Sequence, residues 1–280
     1  MNEGWVWRLL ETPSARGNWN MAVDEVLMES HKMGAPPVLR LYSWSPPAIS
    51  FGYFQKPADE IDIERCASNG IDYVRRLSGG RGVLHDKELT YSVIIKESLL
   101  PGSIPDTYKK ITTALVKGLT EFGMEASSFA IGMPAGKRKG KKTPLCFDTT
   151  ETADLTFKDK KIIGSAQVRI GGIILQHGSL PIFNSLEKFI NVLKISEAGK
   201  RALLVNLSKK CTSLAEEGYL GPPSASWEEV LPSLSKALQK GFYASFGVSF
   251  EDTPLSAGEK TKAAELADEK YGTRGWNIRD

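Results

Sequence analysis

A chain of 280 residues can bury roughly three-quarters of its extended surface; it therefore needs no disulfide or metal staple, and its three cysteines, Cys66, Cys146 and Cys211, widely spaced and without a CxxC, argue against a disulfide framework and a zinc site. Its 36 basic and 33 acidic residues leave a net charge of +3, too slight a bias to make nucleic acid the default partner. Hydrophobic residues make up 41%, no apolar run approaches the roughly 20 residues of a membrane span, and "MNEGWVWRLLETPS" lacks the basic and then apolar regions of a secretory signal, so the expectation is a cytoplasmic globular protein with no membrane partner.

The elements then follow without repeats. "NWNMAVDEVLMESHK" at 18–32 places Met21, Ala22, Val26 and Leu27 at helical spacing behind a possible Asn18 cap, and the pattern stops at Gly34 and two prolines. "VLRLYSW" at 38–44 and "AISFGYFQ" at 48–55 read as strands, "EIDIERCASNG" at 60–70 as a short helix, "DYVRRLS" at 72–78 as a strand and "LTYSVIIKE" at 89–97 as a strong buried strand. Residues 104–124 read as a helix ending at Gly123. "KRKGKK" at 137–142 lies within a Gly-, Pro- and Lys-rich stretch, which predicts a mobile basic loop over 132–144. After it come "ADLTF", a turn at Lys158-Asp159, "KKIIGSAQVRI", a Gly171-Gly172 turn, "GIILQHGSLPIF", and a mostly helical part over 186–280. Tight hairpins among the helices require a mixed or antiparallel sheet, which favours an α+β fold, a mixed β-sheet with flanking helices, over a doubly wound one.

"RRLSGGRGVLHD" at 75–86 gathers glycines, arginines and a histidine. It has neither the P-loop nor the dinucleotide-fingerprint spacing, and it runs from strand toward strand, so no helix N-terminus is available for a phosphate. Gly79, Gly80 and Gly82 allow a ligand to approach backbone N–H groups beside Arg75 or Arg76 and His85. A glycine hairpin with solvated arginines is the plain alternative.

Several blocks in order resemble the lipoate-protein ligase and octanoyltransferase family. "RRLSGGRGVLHD" is similar to its RRxxGGGxVxHD signature, and "KKIIGSAQ" at 160–167 to its Kx2GSA segment, with Lys161 on the family's lysine. The likeness continues through "NMAVDEVL" at 20–27, "VLRLYSWSPPAISFGYFQ" at 38–55, "ILQHGSL" at 174–180 and "KYGTRGWN" at 270–277. The resemblance implies the catalytic-domain fold shared with biotin protein ligases, as one domain over 1–280. It also implies substrate contacts from Arg75, Arg76, Ser78, Gly79, Gly80, Arg81, Gly82 and His85, from Gly164 and Ser165, and from His177 and Gly178.

Arg81 stands where the ligases of this family carry a third glycine, and a side chain there crowds the path of an acyl-adenylate, so neither ATP nor any other cofactor is expected. "TPLCFDTTETADL" at 143–155 resembles instead the CFD motif of the Gram-positive type of octanoyltransferase, whose nucleophile is the cysteine at the position of Cys146. Moving an acyl group from a thioester to a lysine amine is downhill without ATP if a thiol holds it between two steps. Lys161 is then the cation that activates the thiol or steadies the oxyanion; the sequence leaves both roles open. Cys66 and Cys211 match no motif and read as structural. "AISFGYFQ" together with Val83 and Leu84 can wall an acyl slot. The resemblance further implies octanoyl-acyl carrier protein as donor and a lipoyl domain or glycine cleavage H protein as acceptor, acidic partners that the basic loop would steer in. The alternatives are octanoyl or lipoyl exchange between lipoyl domains, an ATP-dependent lipoate ligase, and a nucleic-acid module. The last lacks base-stacking aromatics among its charges.

Overall fold

The computed structural model describes residues 5–132, 154–220 and 226–279. In chain order the elements are β1 (Val6–Glu11), α1 (Gly17–Lys32), β2 (Val38–Tyr42), β3 (Ala48–Phe51), α2 (Pro57–Glu60), α3 (Ile63–Ser68), β4 (Asp72–Arg75), β5 (Val83–His85), β6 (Glu88–Lys96) and α4 (Ile104–Glu121). There follow β7 (Phe129–Ile131), β8 (Leu155–Phe157), β9 (Lys160–Ile170), β10 (Ile173–Pro181), α5 (Leu186–Asn191), α6 (Glu197–Lys210), α7 (Trp227–Phe246), β11 (Ser249–Asp252), α8 (Ala257–Leu266) and α9 (Arg274–Asn277). The basic stretch expected over 132–144 lies, apart from Gly132, outside the described residues, and so does Cys146.

β6 and β10 are buried on both faces along nearly their whole length, and such strands belong at a sheet centre covered on both sides. They pair with each other, antiparallel, in the middle of an eight-stranded sheet of order β11-β1-β2-β6-β10-β9-β8-β7. β1 runs parallel to β2 and β11, whereas the other pairs are antiparallel. The sheet is mixed, as the hairpins required. Gly171 and Gly172 both take positive φ (58° and 79°) and join β9 to β10, a conformation that glycine adopts without strain and that matches the twist of a two-residue hairpin. A second, three-stranded sheet of order β4-β3-β5 stands apart.

Helices cover both faces of the large sheet. On one face α4 and α7 bring Ile111, Leu115, Leu238 and Phe242 against Leu39, Val93 and Ile174. On the other, α1 and α8 bring Val23, Leu27 and Ala263 against Val38, Ile94 and Leu175. A third cluster, with Phe51, Cys66, Phe189 and Leu207, lies beneath the small sheet. α4 begins with a capping box in which Ser103 and Asp106 satisfy each other's backbone N–H.

Two readings are corrected and a third is extended. α1 starts at Gly17 with Arg16 at the cap position. Asn18 lies inside the helix, where its side chain accepts from Trp19 N–H and donates to Ala267 C=O. The strand at 48–55 ends at Phe51, because Arg75 collects the carbonyls of Gly52, Tyr53 and Gln55 on one guanidinium nitrogen and turns the chain. The part over 186–280 is mostly helical, but it also returns β11 to the sheet edge beside β1. That strand is short and largely exposed, so it carries no apolar run to announce it.

Candidate active site

A cavity lies in the space between the small sheet and the centre of the large one. Met21, Tyr42, Trp44 and Val83 supply apolar walls, while Arg76 from the segment after β4, His85 from β5 and His177 from β10 reach it. Gly80, Gly164, Ser165 and Gly178, all expected at the site, also line it. A side chain at Gly178 would strike Ser165 Oγ and Gly164 C=O, so the close approach of β10 to β9 there requires glycine.

Arg76 organises the cavity's polar end. Its guanidinium donates to Ser50 Oγ (3.1 Å) and Ser78 Oγ (3.2 Å), and to the carbonyls of Ser50, Gly79 and Arg81. Each serine then meets a histidine: Ser50 Oγ lies 2.8 Å from His85 Nε2, and Ser78 Oγ 2.5 Å from His177 Nε2. Each histidine in turn faces a buried carboxylate, with His85 Nδ1 2.7 Å from Glu88 and His177 Nδ1 3.5 Å from Asp24. A guanidinium can only donate. Each serine therefore gives Arg76 a lone pair and meets a histidine Nε2 with its hydroxyl hydrogen or its second lone pair.

The carboxylates are held from behind. Asp24 accepts from Arg40 (2.7 Å), Ser92 (3.0 Å) and Tyr42 (3.3 Å), and Arg40 also donates to Asn20. Glu88 accepts from the hydroxyls of Thr90 and Ser179. Thr90 in turn accepts from Trp44 Nε1 at 2.7 Å, and the Trp44 ring stacks on His85 with centroids 4.0 Å apart. Burial pushes Asp24 upward, but Arg40 and His177 outweigh it and hold the carboxyl below its usual range. For His177, burial first and then Arg76 and His85 lower the ring's affinity for a proton, against the pull of Asp24.

This shift has a testable sign. The folded ring holds its proton more weakly than an unfolded histidine, whose pKa is about 6.5, so the unfolded chain binds more protons as pH falls through that value and stability declines. His31, also lowered mainly by burial, contributes with the same sign. Thermal midpoints should fall between about pH 7 and pH 5, and His177→Gln should flatten part of that decline. An unchanged slope would contradict the burial of a neutral His177.

The remaining expected residues are not all at the cavity. Ser78 is fully buried behind it. Gly79 has open space on its side-chain face and Gly82 faces Gln55 and Phe189. Arg81 pairs with Glu60 at 3.4 Å. Arg75 is turned away from the cavity: besides the turn at 52–55, its guanidinium donates to the carbonyls of Trp276 and Asn277 and so ties the C-terminal segment to β4. Lys161 is buried in β9 with its ammonium 2.7 Å from Asp154. It lines a second cavity, shared at Val83, Gly164 and Ser179 with the first. Of the two described cysteines, Cys66 is buried, chiefly for which reason its thiol is pushed up to about 11. Cys211 is buried in the wall of the second cavity. Among the described residues no helix is long and apolar enough to cross a membrane.

Asp24, Arg40, Ser50, Glu88 and Asp154 escaped the sequence reading. Asn20, Asp24 and His31 share the buried side of α1, and a carboxylate on such a stripe was the available signal. Glu88 heads a buried strand that carries no other charge before Lys96.

The model of the lipoyl protein ligase A/B catalytic domain matches residues 16–239. The chain belongs to this family. Among similar members, the octanoyltransferase LipM of Kyrpidia tusciae is 39% identical over 98% of each chain, and that of Symbiobacterium thermophilum 37% identical over 98% of each. These relatives place the chain among the family's acyltransferases. A crystal structure of lipoate-protein ligase A bound with ATP superposes with a TM-score of 0.76 at 25% identity, covering 99% of this chain and 98% of that one. The fold expected for the lipoyl ligase A/B family is thus the fold observed.

Proposed function

We propose that the protein transfers octanoyl from acyl carrier protein to a lysine of a lipoyl domain, glycine cleavage H protein being a candidate acceptor, through a thioester on Cys146. The observation that carries this reading is the end-to-end likeness to octanoyltransferases in a chain that holds "CFD" at 146–148. The apolar cavity supports it, since each methylene moved from water to such walls contributes about 0.8 kcal/mol.

In the first step the Cys146 thiolate attacks the donor's carbonyl carbon, a C–S bond to the enzyme forms, and the carrier's thiol leaves. In the second the acceptor's neutral amine attacks the same carbon, the amide forms, and Cys146 departs, its sulfur regaining the proton that the amine gives up. The buried Lys161 ammonium, fixed by Asp154, is the group that steadies the negative oxygen in both steps. Arg76 and its two serine–histidine pairs close the polar end of the acyl cavity. Arg81, engaged with Glu60, occupies the signature's glycine position, which counts against an adenylate.

Purified protein mixed with octanoyl-acyl carrier protein and a lipoyl domain is expected to add octanoyl to the domain without nucleotide. Transfer that needs ATP and free octanoate would make it a ligase, and transfer that starts only from an octanoylated lipoyl domain would make it an exchange enzyme.

A further inference from the structure

A thioester has two arms that diverge from one carbonyl, and this site has two cavities that meet at Val83, Gly164 and Ser179. We propose that the second cavity receives the phosphopantetheine arm of the acyl donor while the first takes the acyl chain. The inference rests on the transferase reading above and adds where the leaving half of the donor sits.

Four observations carry it. The walls of the second cavity, from Leu84, Ile162, Phe183, Leu186 and Phe189, are apolar, with Asn184 and Thr212 among them as hydrogen-bonding groups. That combination suits a slender neutral arm whose polarity is confined to two amides. The carboxylates in its lining are already engaged: Glu88 by Thr90, Ser179 and His85, and Asp86 by Ser185 and Lys188. A second charged group entering the slot would meet no unsatisfied counter-charge there. At its outer end Lys87 lies over the Phe183 ring at 5.8 Å, and Lys188 is 42% exposed. Glu216 and Glu217 stand behind Asn184 and Thr212, Glu217 paired with Lys158, so on the side of Asp86 the two ammonium groups of Lys87 and Lys188 are the cations that a phosphodiester would meet. At the inner end Lys161 reaches the junction because Gly164 has no side chain: a Cβ there would sit 2.9 Å from Lys161 Cε and 3.1 Å from Nζ. The carbonyl between the two arms thus comes to rest beside the ammonium.

The test compares rates of enzyme acylation from four octanoyl thioesters: on acyl carrier protein, on coenzyme A, on unphosphorylated pantetheine, and on N-acetylcysteamine, which keeps only the amide next to sulfur. Binding of a remote arm is expressed in the rate of the reacting centre, so native protein is expected to favour the two phosphopantetheine donors over N-acetylcysteamine by about tenfold or more. Leu186→Trp, which fills the slot, should bring that ratio near one. Lys87→Glu with Lys188→Glu, both on the surface, should erase any preference for phosphorylated over unphosphorylated pantetheine. Preference for carrier protein over coenzyme A assigns the arm to the carrier, and equal use assigns it to the free cofactor; either supports the site. A native protein indifferent to arm length, or a ratio that survives both variants, overturns the inference and leaves the transferase reading intact. Failure of all four donors to acylate the native protein overturns both.

Discussion

Lys161→Ala should slow acylation of the enzyme by about 10²- to 10³-fold, the usual loss when one group that stabilises an oxyanion is removed. Lys161 is buried, its ammonium is 2.7 Å from Asp154, and it lines the cavity that joins the acyl slot at Gly164. A charge fixed in so dry a place needs no reorganisation when the carbonyl oxygen becomes negative. The pH profile separates its two possible roles. An unaided thiol ionises near pH 8.5, so a lysine needed only to make the thiolate would become dispensable at about pH 9. Because Asp154 pins the ammonium in place, the loss is expected to persist there. Full recovery at high pH would assign Lys161 to thiol activation, and an undiminished rate at every pH would remove it from the mechanism.

Asp24→Ala should cost about 3–5 kcal/mol of stability, because it leaves a buried charge uncompensated. The Arg40 side chain has no exposed surface and Asp24 is its ion-pair partner at 2.7 Å. For a chain of this size each kcal/mol moves the thermal midpoint by roughly 2–4 °C, so a fall of about 6–20 °C is expected. Removing both charges is the control: Asp24→Leu with Arg40→Met should recover much of the loss, since a buried pair replaced by apolar groups of similar volume is often neutral. A midpoint that barely moves in Asp24→Ala would mean that Arg40 is satisfied by Asn20 and Thr12 alone. The sign with pH also follows. Asp24 titrates below its unfolded value, so its contribution is present above about pH 4 and disappears only as pH falls further.

Much of this architecture is legible in the chain. The β-branched and aromatic residues of β6, the Ile173–Leu175 run of β10, the two-glycine turn between β9 and β10, and the helical spacing of α1 and α4 each follow from local rules, and together they force a mixed sheet with helices outside. Motif blocks identified Arg76, His85, His177, Gly164 and Gly178, which the fold gathers around one cavity from the residue after β4 and from β5, β9 and β10. What the motif could not tell is which of two adjacent arginines faces the ligand. Arg75 and Arg76 are neighbours in sequence, yet alternation along the chain sends one guanidinium to the backbone carbonyls of the C-terminal segment and the other to the cavity. The supporting carboxylates were hidden for a related reason. Asp24 is one acidic residue on a helix and Glu88 one at a strand end, and only the packing of α1 and β6 behind β10 and β5 turns them into partners for histidines 153 and three positions away, respectively. β11 escaped because four largely exposed residues carry no periodic signal.

The most direct test of the central claim is the intact mass of the purified protein after incubation with octanoyl-acyl carrier protein, without ATP or acceptor, beside a Cys146→Ala variant. The account predicts one octanoyl adduct on the native protein, released on addition of a lipoyl domain, and none on the variant. A variant that still carries the adduct, or a native protein that labels the lipoyl domain while never becoming acylated itself, would contradict it.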